Sequence, residues 1–396
     1  MSKRDTAIHP VYAKMETTIF EAMSGLAREL GAINLGQGFP DDAKGNGGGP
    51  PELIAAAARA LREKSNQYPP GSGIAELRDA ICAFYRRRQG LELAREQVVV
   101  TSGATEAIAC AVLALVSPGD EVILFQPAYD AYAPMVRRAG GVPVSVPLSP
   151  PDWRYRPDEI AAAITPRTRV LMLNDPLNPA GSCAGEAELA AIAEACVAHD
   201  LIAISDEVWE DVRFDGRPHR SLMSFPGMAE RTVKIGSAGK IFGLTGWKTG
   251  WMIALPALAE GLARAHQFLT YTTPPALQWA VAEGLALPDE WFAARTAGWA
   301  SSRELLRGSL EAAGYRVLPN AATWFLCADL AASGIALGDR TFAERLLREA
   351  GVATIPVSAL FEGEGPRNVV RFCFTKPDAV LREAAARLEA FRKGLG

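Results

Sequence analysis

With 396 residues, 49% of them hydrophobic and 22% charged, the chain is long enough for two cores and too apolar for extended disorder. A formal charge of −4 provides no general attraction for nucleic acid or an anionic membrane, and no apolar run is long enough to span a bilayer. Met1 leads into His9-Pro10 without the apolar stretch of a secretory signal, so a cytoplasmic protein is expected. The six cysteines form no C-x-x-C pair and read as buried, reduced thiols. The four histidines, at 9, 199, 219 and 266, have no ligand cluster near them in sequence, so no metal site is expected.

In chain order, Thr18 to Glu21 has the form of a capping box opening a helix with Ile19, Met23, Leu26 and Leu30 on one face. That helix is expected to pack on a second domain. The glycine- and proline-dense stretch 41–51 reads as a loop. Arg86-Arg87-Arg88 closes a helix, where cations suit the dipole and face water. From about 97 to 255, strands at Gln97–Thr101, Glu121–Phe125, Thr168–Asn174, Leu201–Ser205 and Thr232–Gly236 alternate with helical runs such as Thr105–Val116 and Glu186–His199. That alternation predicts an α/β fold with a mostly parallel sheet flanked by helices, which binds ligands at the strands' carboxyl ends. Helices at Trp291–Ala312, Asp339–Ala350 and Asp378–Lys393 then predict a smaller α+β domain. The expected division is an N-terminal segment 1–45 packing with the small domain, a large domain 46–290 and a small domain 291–396.

Two nucleotide motifs fail. Gly36-Gln37-Gly38 lacks the third glycine of a dinucleotide fingerprint, and the glycines around Lys240 lack P-loop spacing. What remains is Ser237-Ala238-Gly239-Lys240, a lysine among small residues, with Lys248 eight positions on. Small neighbours let a bulky group approach the backbone, and a desolvated lysine beside another cation can form a Schiff base with an aldehyde. Asp206 closes the hydrophobic run from Leu201, and Ser102 to Thr105 lies between a strand and a helix, where backbone N–H groups suit a phosphate.

Together with Asn34 to Asp41, Asn66-Gln67-Tyr68, Ser102 to Ala107, Asn178-Pro179-Ala180-Gly181, Ser205 to Val208 and Arg371 to Phe374, these segments resemble, along almost the whole chain, the class I aminotransferases of the pyridoxal phosphate fold type I superfamily. The similar branch holds kynurenine, glutamine and methionine aminotransferases and N-succinyl-diaminopimelate aminotransferase. The resemblance implies pyridoxal 5'-phosphate as cofactor and a homodimer with shared active sites. Lys240 would hold the aldehyde and move the substrate's α-proton, and Asp206 would keep the ring nitrogen protonated. The amides of Ala104 and Thr105, the Ser237 hydroxyl and Lys248 would share the phosphate, with Tyr68 reaching it from a second subunit. Tyr129 would stack on the ring and Asn178 bond its phenolic oxygen, while Tyr132 reads as core. Arg371 would fork the substrate carboxylate, helped by Asn178 and the Gly38 amide. Phe20, Tyr271 and Thr272 would line the side-chain pocket, the last two from the partner.

One departure is Trp209, which stands where the family usually has tyrosine and offers only an indole N–H. It is expected to narrow the pocket and deprive the phenolic oxygen of one partner. Apolar walls favour aromatic, methionine-like or glutamine-like donors over aspartate, with a 2-oxo acid as acceptor. Rival readings are an N-succinyl-diaminopimelate aminotransferase, a cysteine-conjugate β-lyase, a regulatory module and a catalytically silent binding protein. A regulator would need a DNA-binding domain, for which the residues before the first motif leave no room.

Overall fold

The computed structural model describes residues 8–13, 15–41 and 49–395. The extreme N-terminus and most of the 41–51 loop lie outside them, and the helix Pro51–Glu63 begins where that loop was expected to end.

A seven-stranded sheet organises the large part of the chain. Its order is Val98–Thr101, Gly250–Ile253, Thr232–Ser237, Ile202–Asp206, Thr168–Asn174, Glu121–Gln126, Val142–Pro147, and Gly250–Ile253 alone runs antiparallel to its neighbours. Helices cover both faces, so the central strands are buried along nearly their whole length, as parallel strands require. Two of the seven strands were not predicted. Val142–Pro147 carries prolines at 143 and 147, which only an edge strand accommodates. Gly250–Ile253 is short and begins inside the glycine-rich segment.

Register brings the chemistry to one edge. Asn174 pairs with Asp206, and Gly250 pairs with both Thr101 and Ser237, so Thr101, Ser237, Asp206 and Asn174 end side by side. Gly250 has to be glycine at this junction, because a Cβ there would lie 2.8 Å from the Ala104 nitrogen.

Beyond residue 289 a four-stranded antiparallel sheet, in the order Ile355–Pro356, Val369–Cys373, Phe325–Asp329 and Arg316–Val317, packs with the helices Asp289–Ala312, Asp339–Ala350 and Asp378–Lys393. The N-terminal helix Ile19–Glu29 buries Met23 and Ala27 against Ala343, Leu347 and Ile355, and Ile33–Asn34 pairs with Val352–Ala353. Thr18 caps that helix by accepting from the Glu21 N–H at 3.2 Å. The reciprocal half of the capping box does not form among the described residues, and the Glu21 carboxylate instead pairs with Arg28 two turns along the same face.

The arginine run also departs from expectation. Gly90 in the left-handed region ends the helix Ala75–Gln89, as the pattern suggested, but Arg88 pairs with Asp211 and Asp289, and Arg87 donates to the Leu285 and Leu287 carbonyls. These cations stitch the helix to the start of Asp289–Ala312 instead of facing water.

Candidate active site

A cavity of about 550 Å³ opens at the carboxyl edge of the large sheet and is closed on the far side by Arg371 and Phe325 of the small sheet and by Phe20, Gln37 and Gly38 of the N-terminal segment. That volume suits a small-molecule cofactor with its substrate. It brings together Lys240, Asp206, Ala104, Thr105, Tyr129, Asn178, Trp209, Ser237, Lys248, Gly38, Arg371 and Phe20. Tyr68, Tyr271 and Thr272 are absent from it. They group elsewhere on the same chain, with the Tyr68 ring edge-on to Tyr271 at 5.5 Å and the Thr272 hydroxyl donating to the Pro70 carbonyl. Tyr68 is 82% exposed.

Lys240 lies in the short helix Ala238–Ile241 that directly follows the strand ending at Ser237. Its ammonium sits over the rings of Trp209 and Trp324, 4.7 and 5.1 Å from their centres, with no salt bridge among the described residues. Burial, reinforced by Arg371 and Lys248 and opposed by Asp206, brings its pKa down to about 8. The free amine, the nucleophilic form, is therefore accessible near neutrality.

Asp206 is buried, and burial pushes its carboxyl up to about 6 against the pull of Tyr132, the Val208 N–H and Lys240. The Tyr132 hydroxyl donates to its Oδ2. Tyr132 is thus core, as expected, and also a contact of the site that the sequence reading missed. Asn174 was missed as well: it donates to the Asp206 carbonyl at 3.0 Å and accepts the Asn178 N–H at 2.9 Å, locking two site residues to each other.

The turn from Ser102 to Thr105 adopts the geometry of an anion cradle. Gly103 has φ +80°, and a Cβ there would lie 3.2 Å from the Lys248 Nζ. Lys248 itself holds a left-handed backbone, and neither its ammonium nor the Ser237 hydroxyl has a partner among the described residues. A helix N-terminus, an ammonium and a hydroxyl that converge on one corner of the cavity fit a phosphate.

Arg371 is 2% exposed, yet it makes no salt bridge among the described residues. Its guanidinium donates to Asn178 Oδ1 at 3.1 Å and to the Gly36 carbonyl, leaving Nε unpartnered. Phe325 lies 3.9 Å from it and Phe20 4.9 Å. Burial lowers its pKa to about 10. A buried arginine without an anion is expensive unless a ligand supplies one. The Gly38 backbone comes so near that a Cβ would be 2.6 Å from the Phe325 ring. Trp209, 3% exposed, packs edge-on against Trp324 and Phe325 and fills the floor beneath Lys240.

Two clusters of potential metal ligands appear that sequence spacing did not show, Glu106 with Cys110 and His266, and Glu207 with Glu210 and His219. In the second, the Lys234 ammonium already lies against both carboxylates.

A lysine, an aspartate and an anion cradle aligned on the carboxyl edge of such a sheet define a pyridoxal phosphate enzyme of fold type I. The family model for aminotransferase class I and II matches residues 31–388. A probable N-succinyldiaminopimelate aminotransferase DapC of Mycobacterium tuberculosis is 45% identical over 385 residues, covering 94% of this chain and 95% of its own. The methionine aminotransferase of Escherichia coli is 38% identical, covering 95% and 96%. The solved structure of the Mycobacterium tuberculosis N-succinyldiaminopimelate aminotransferase superimposes with a TM-score of 0.92 at 44% identity, over 97% of this chain and all of that one. The chain belongs to the class I and II aminotransferases.

Proposed function

We propose that this pyridoxal phosphate-dependent aminotransferase takes its amino group from a neutral L-amino acid with an aromatic, methionine-like or glutamine-like side chain and passes it to a 2-oxo acid. The observation that carries this is Arg371, buried without an anion between Phe20 and Phe325. Its fork takes the α-carboxylate, held in plane by Asn178, and the aromatic wall receives the side chain. Among the described lining residues the other cations are Lys240 and Lys248, so none is left for a second carboxylate. Asp130, which lines the same cavity, adds repulsion against one.

The cofactor, when bound, supplies an electron sink for the charge left at the substrate α-carbon. Lys240, once free, carries the proton off that carbon and returns it, for which a pKa near neutrality suits both directions. Asp206, oriented by Tyr132, holds the proton on the ring nitrogen. Tyr129 and Trp209 bound the cavity and exclude water, and the 102–105 turn with Ser237 and Lys248 carries the phosphate.

Tyr68, Tyr271 and Thr272 complete the site from the partner in a homodimer. Exposed Tyr68, Phe268 and Leu269 near them support that reading, since large apolar side chains gathered on one surface mark an interface. The proposed division into 1–45, 46–290 and 291–396 is supported by the two separate sheets and by the packing of the N-terminal helix on the smaller one. The six free cysteines support a reducing, cytoplasmic setting.

A second reading, transamination of an N-succinylated diamino acid, is favoured by the 45% identical relative. Absorption spectra of the holoenzyme with single amino acids and no acceptor separate the two. Conversion of the cofactor to its amine form by methionine or phenylalanine, with glutamate inert, supports the proposal. Conversion by glutamate and by N-succinyl-diaminopimelate alone favours the second, and release of pyruvate and ammonia from a cysteine conjugate exposes a β-lyase.

A further inference from the structure

Behind the anion cradle, on the side away from the cavity, lies a buried glutamate–histidine pair that the reaction does not use. Glu106, in the first turn of the helix Ala104–Leu115, folds back so that its carboxylate accepts the Ser102 N–H at 2.5 Å, the Thr270 hydroxyl at 2.6 Å and His266 Nδ1 at 2.7 Å. The other ring nitrogen, Nε2, meets the Gly71 carbonyl at 2.9 Å. Glu106 is 8% exposed and His266 1%.

The proton count follows from the partners. A carbonyl only accepts, so Nε2 carries a proton. The contact between Nδ1 and the carboxylate must then hold another, on one partner or the other. Burial favours a neutral Glu106, but the hydrogen bonds from His266, Thr270 and Ser102 outweigh it and hold the carboxyl below its usual range. Cys110, one turn further along the helix, has its thiol pushed up to about 12 by burial and takes no part in this proton balance. The other buried histidine–glutamate contact differs: His219 Nδ1 has no partner among the described residues, so that ring ties Glu207 to no third segment.

We propose that Glu106 and His266 are positioning residues for the cofactor phosphate: they hold the Ser102–Thr105 turn rigid and tie it to the chain segment that follows Tyr68. The dyad joins three segments distant in sequence, at 71, 102–106 and 266–270. The cradle leaves little slack, since Gly103 already needs a left-handed backbone against Lys248. Gly71 lies three residues beyond Tyr68, so the same ring anchors the base of the arm proposed to reach the partner's phosphate.

This inference rests on the reading of the turn as the phosphate cradle, and its test separates the two. Dissociation constants of pyridoxal phosphate and of pyridoxal, which lacks the phosphate, are measured for the apo wild type, Glu106→Ala and Glu106→Gln, with apoenzyme thermal unfolding alongside. For Glu106→Ala the expected result is pyridoxal phosphate bound roughly ten- to hundredfold more weakly, as for loss of charged hydrogen bonds, with pyridoxal affinity unchanged. Glu106→Gln, which keeps an acceptor for the Ser102 N–H, should recover part of the loss. If both ligands weaken equally, or neither does while the melting temperature drops, the dyad only supports the fold and the inference is overturned. A wild type that binds both ligands equally would instead remove the cradle reading, and this inference with it.

Discussion

Two lysines six residues apart, one buried and one only partly so, show how this fold separates structure from chemistry. Lys234, within the strand Thr232–Ser237, is fully buried with its ammonium against Glu207 and Glu210, and those carboxylates outweigh burial and hold its pKa above the usual value. Glu207 also accepts from Ser205, Ser221 and the Leu222 N–H, and Glu210 from Tyr85 and Gln89. Lys240, just past the end of the same strand, meets two indole rings and, among the described residues, no ion-pair partner. Lys234 is wholly enclosed and Lys240 partly so, and their partners differ more sharply still. A completed network leaves a lysine inert, whereas an incomplete one leaves it reactive and costs the empty protein stability.

The contrast breaks if the two lysines respond alike to substitution. Lys240→Ala is expected to abolish transamination, a loss of several orders of magnitude, while the protein stays folded by circular dichroism. Lys234→Met is expected to do the reverse: it strands two buried carboxylates, at a cost of about 3–5 kcal/mol in a denaturant titration, and the folded remainder keeps its donor half-reaction. Equal loss of stability from both would dissolve the distinction.

Arg371→Lys sharpens the comparison at the other incomplete cation. It keeps the charge and loses the fork, so KM for every amino acid should rise about 10- to 100-fold, with the cofactor spectrum unaltered. Tyr132→Phe removes the hydroxyl that orients Asp206 and should lower kcat about tenfold, the value of one charged hydrogen bond. If kcat is unchanged, Tyr132 is core alone. Trp209→Tyr is expected to have the smallest effect, a shift in the pH titration of the bound cofactor's absorbance. No shift in that titration and no change in turnover would mean that the indole changes nothing for the phenolic oxygen.

The pH dependence of stability carries the same contrast with opposite signs. Glu207 is depressed from 4.5 to about 2, burial being outweighed by Lys234 and His219, so its contribution is present above pH 4.5 and lost as pH falls through about 2. Asp206 is raised from 3.8 to about 6, so in the cofactor-free protein stability falls as pH rises across that window. Apo Asp206→Asn should lack that fall, and denaturant titrations at pH 4 and pH 7 measure the difference.

Legibility in the sequence followed the range of the interaction. Lys240, Asp206, Asn178 and the 102–105 turn belong to short local patterns, and the strands at 98–101, 121–126, 168–174, 202–206 and 232–237 stood out as apolar runs. The edge strand Val142–Pro147 was hidden by its prolines, and the antiparallel Gly250–Ile253 by the glycines before it. The tie from Tyr132 to Asp206 spans 74 residues and that from His266 to Glu106 spans 160, so no window shows them. One signal was present for Tyr132: it follows Tyr129 by three positions, and the turn whose Tyr132 N–H donates to the Tyr129 carbonyl sets the two rings edge-on at 5.7 Å. Arg87 and Arg88 misled because a helix end predicts a favourable field for cations but not the acids that another segment brings to them.

The central claim is that Lys240, and not Lys248 or Lys234, is the amine that bonds the cofactor. Borohydride reduction of the holoenzyme followed by peptide mapping tests it most directly. The expected result is a single peptide carrying the reduced cofactor, with the added mass on Lys240. Label on Lys248, or a holoenzyme that yields no labelled peptide, would contradict it.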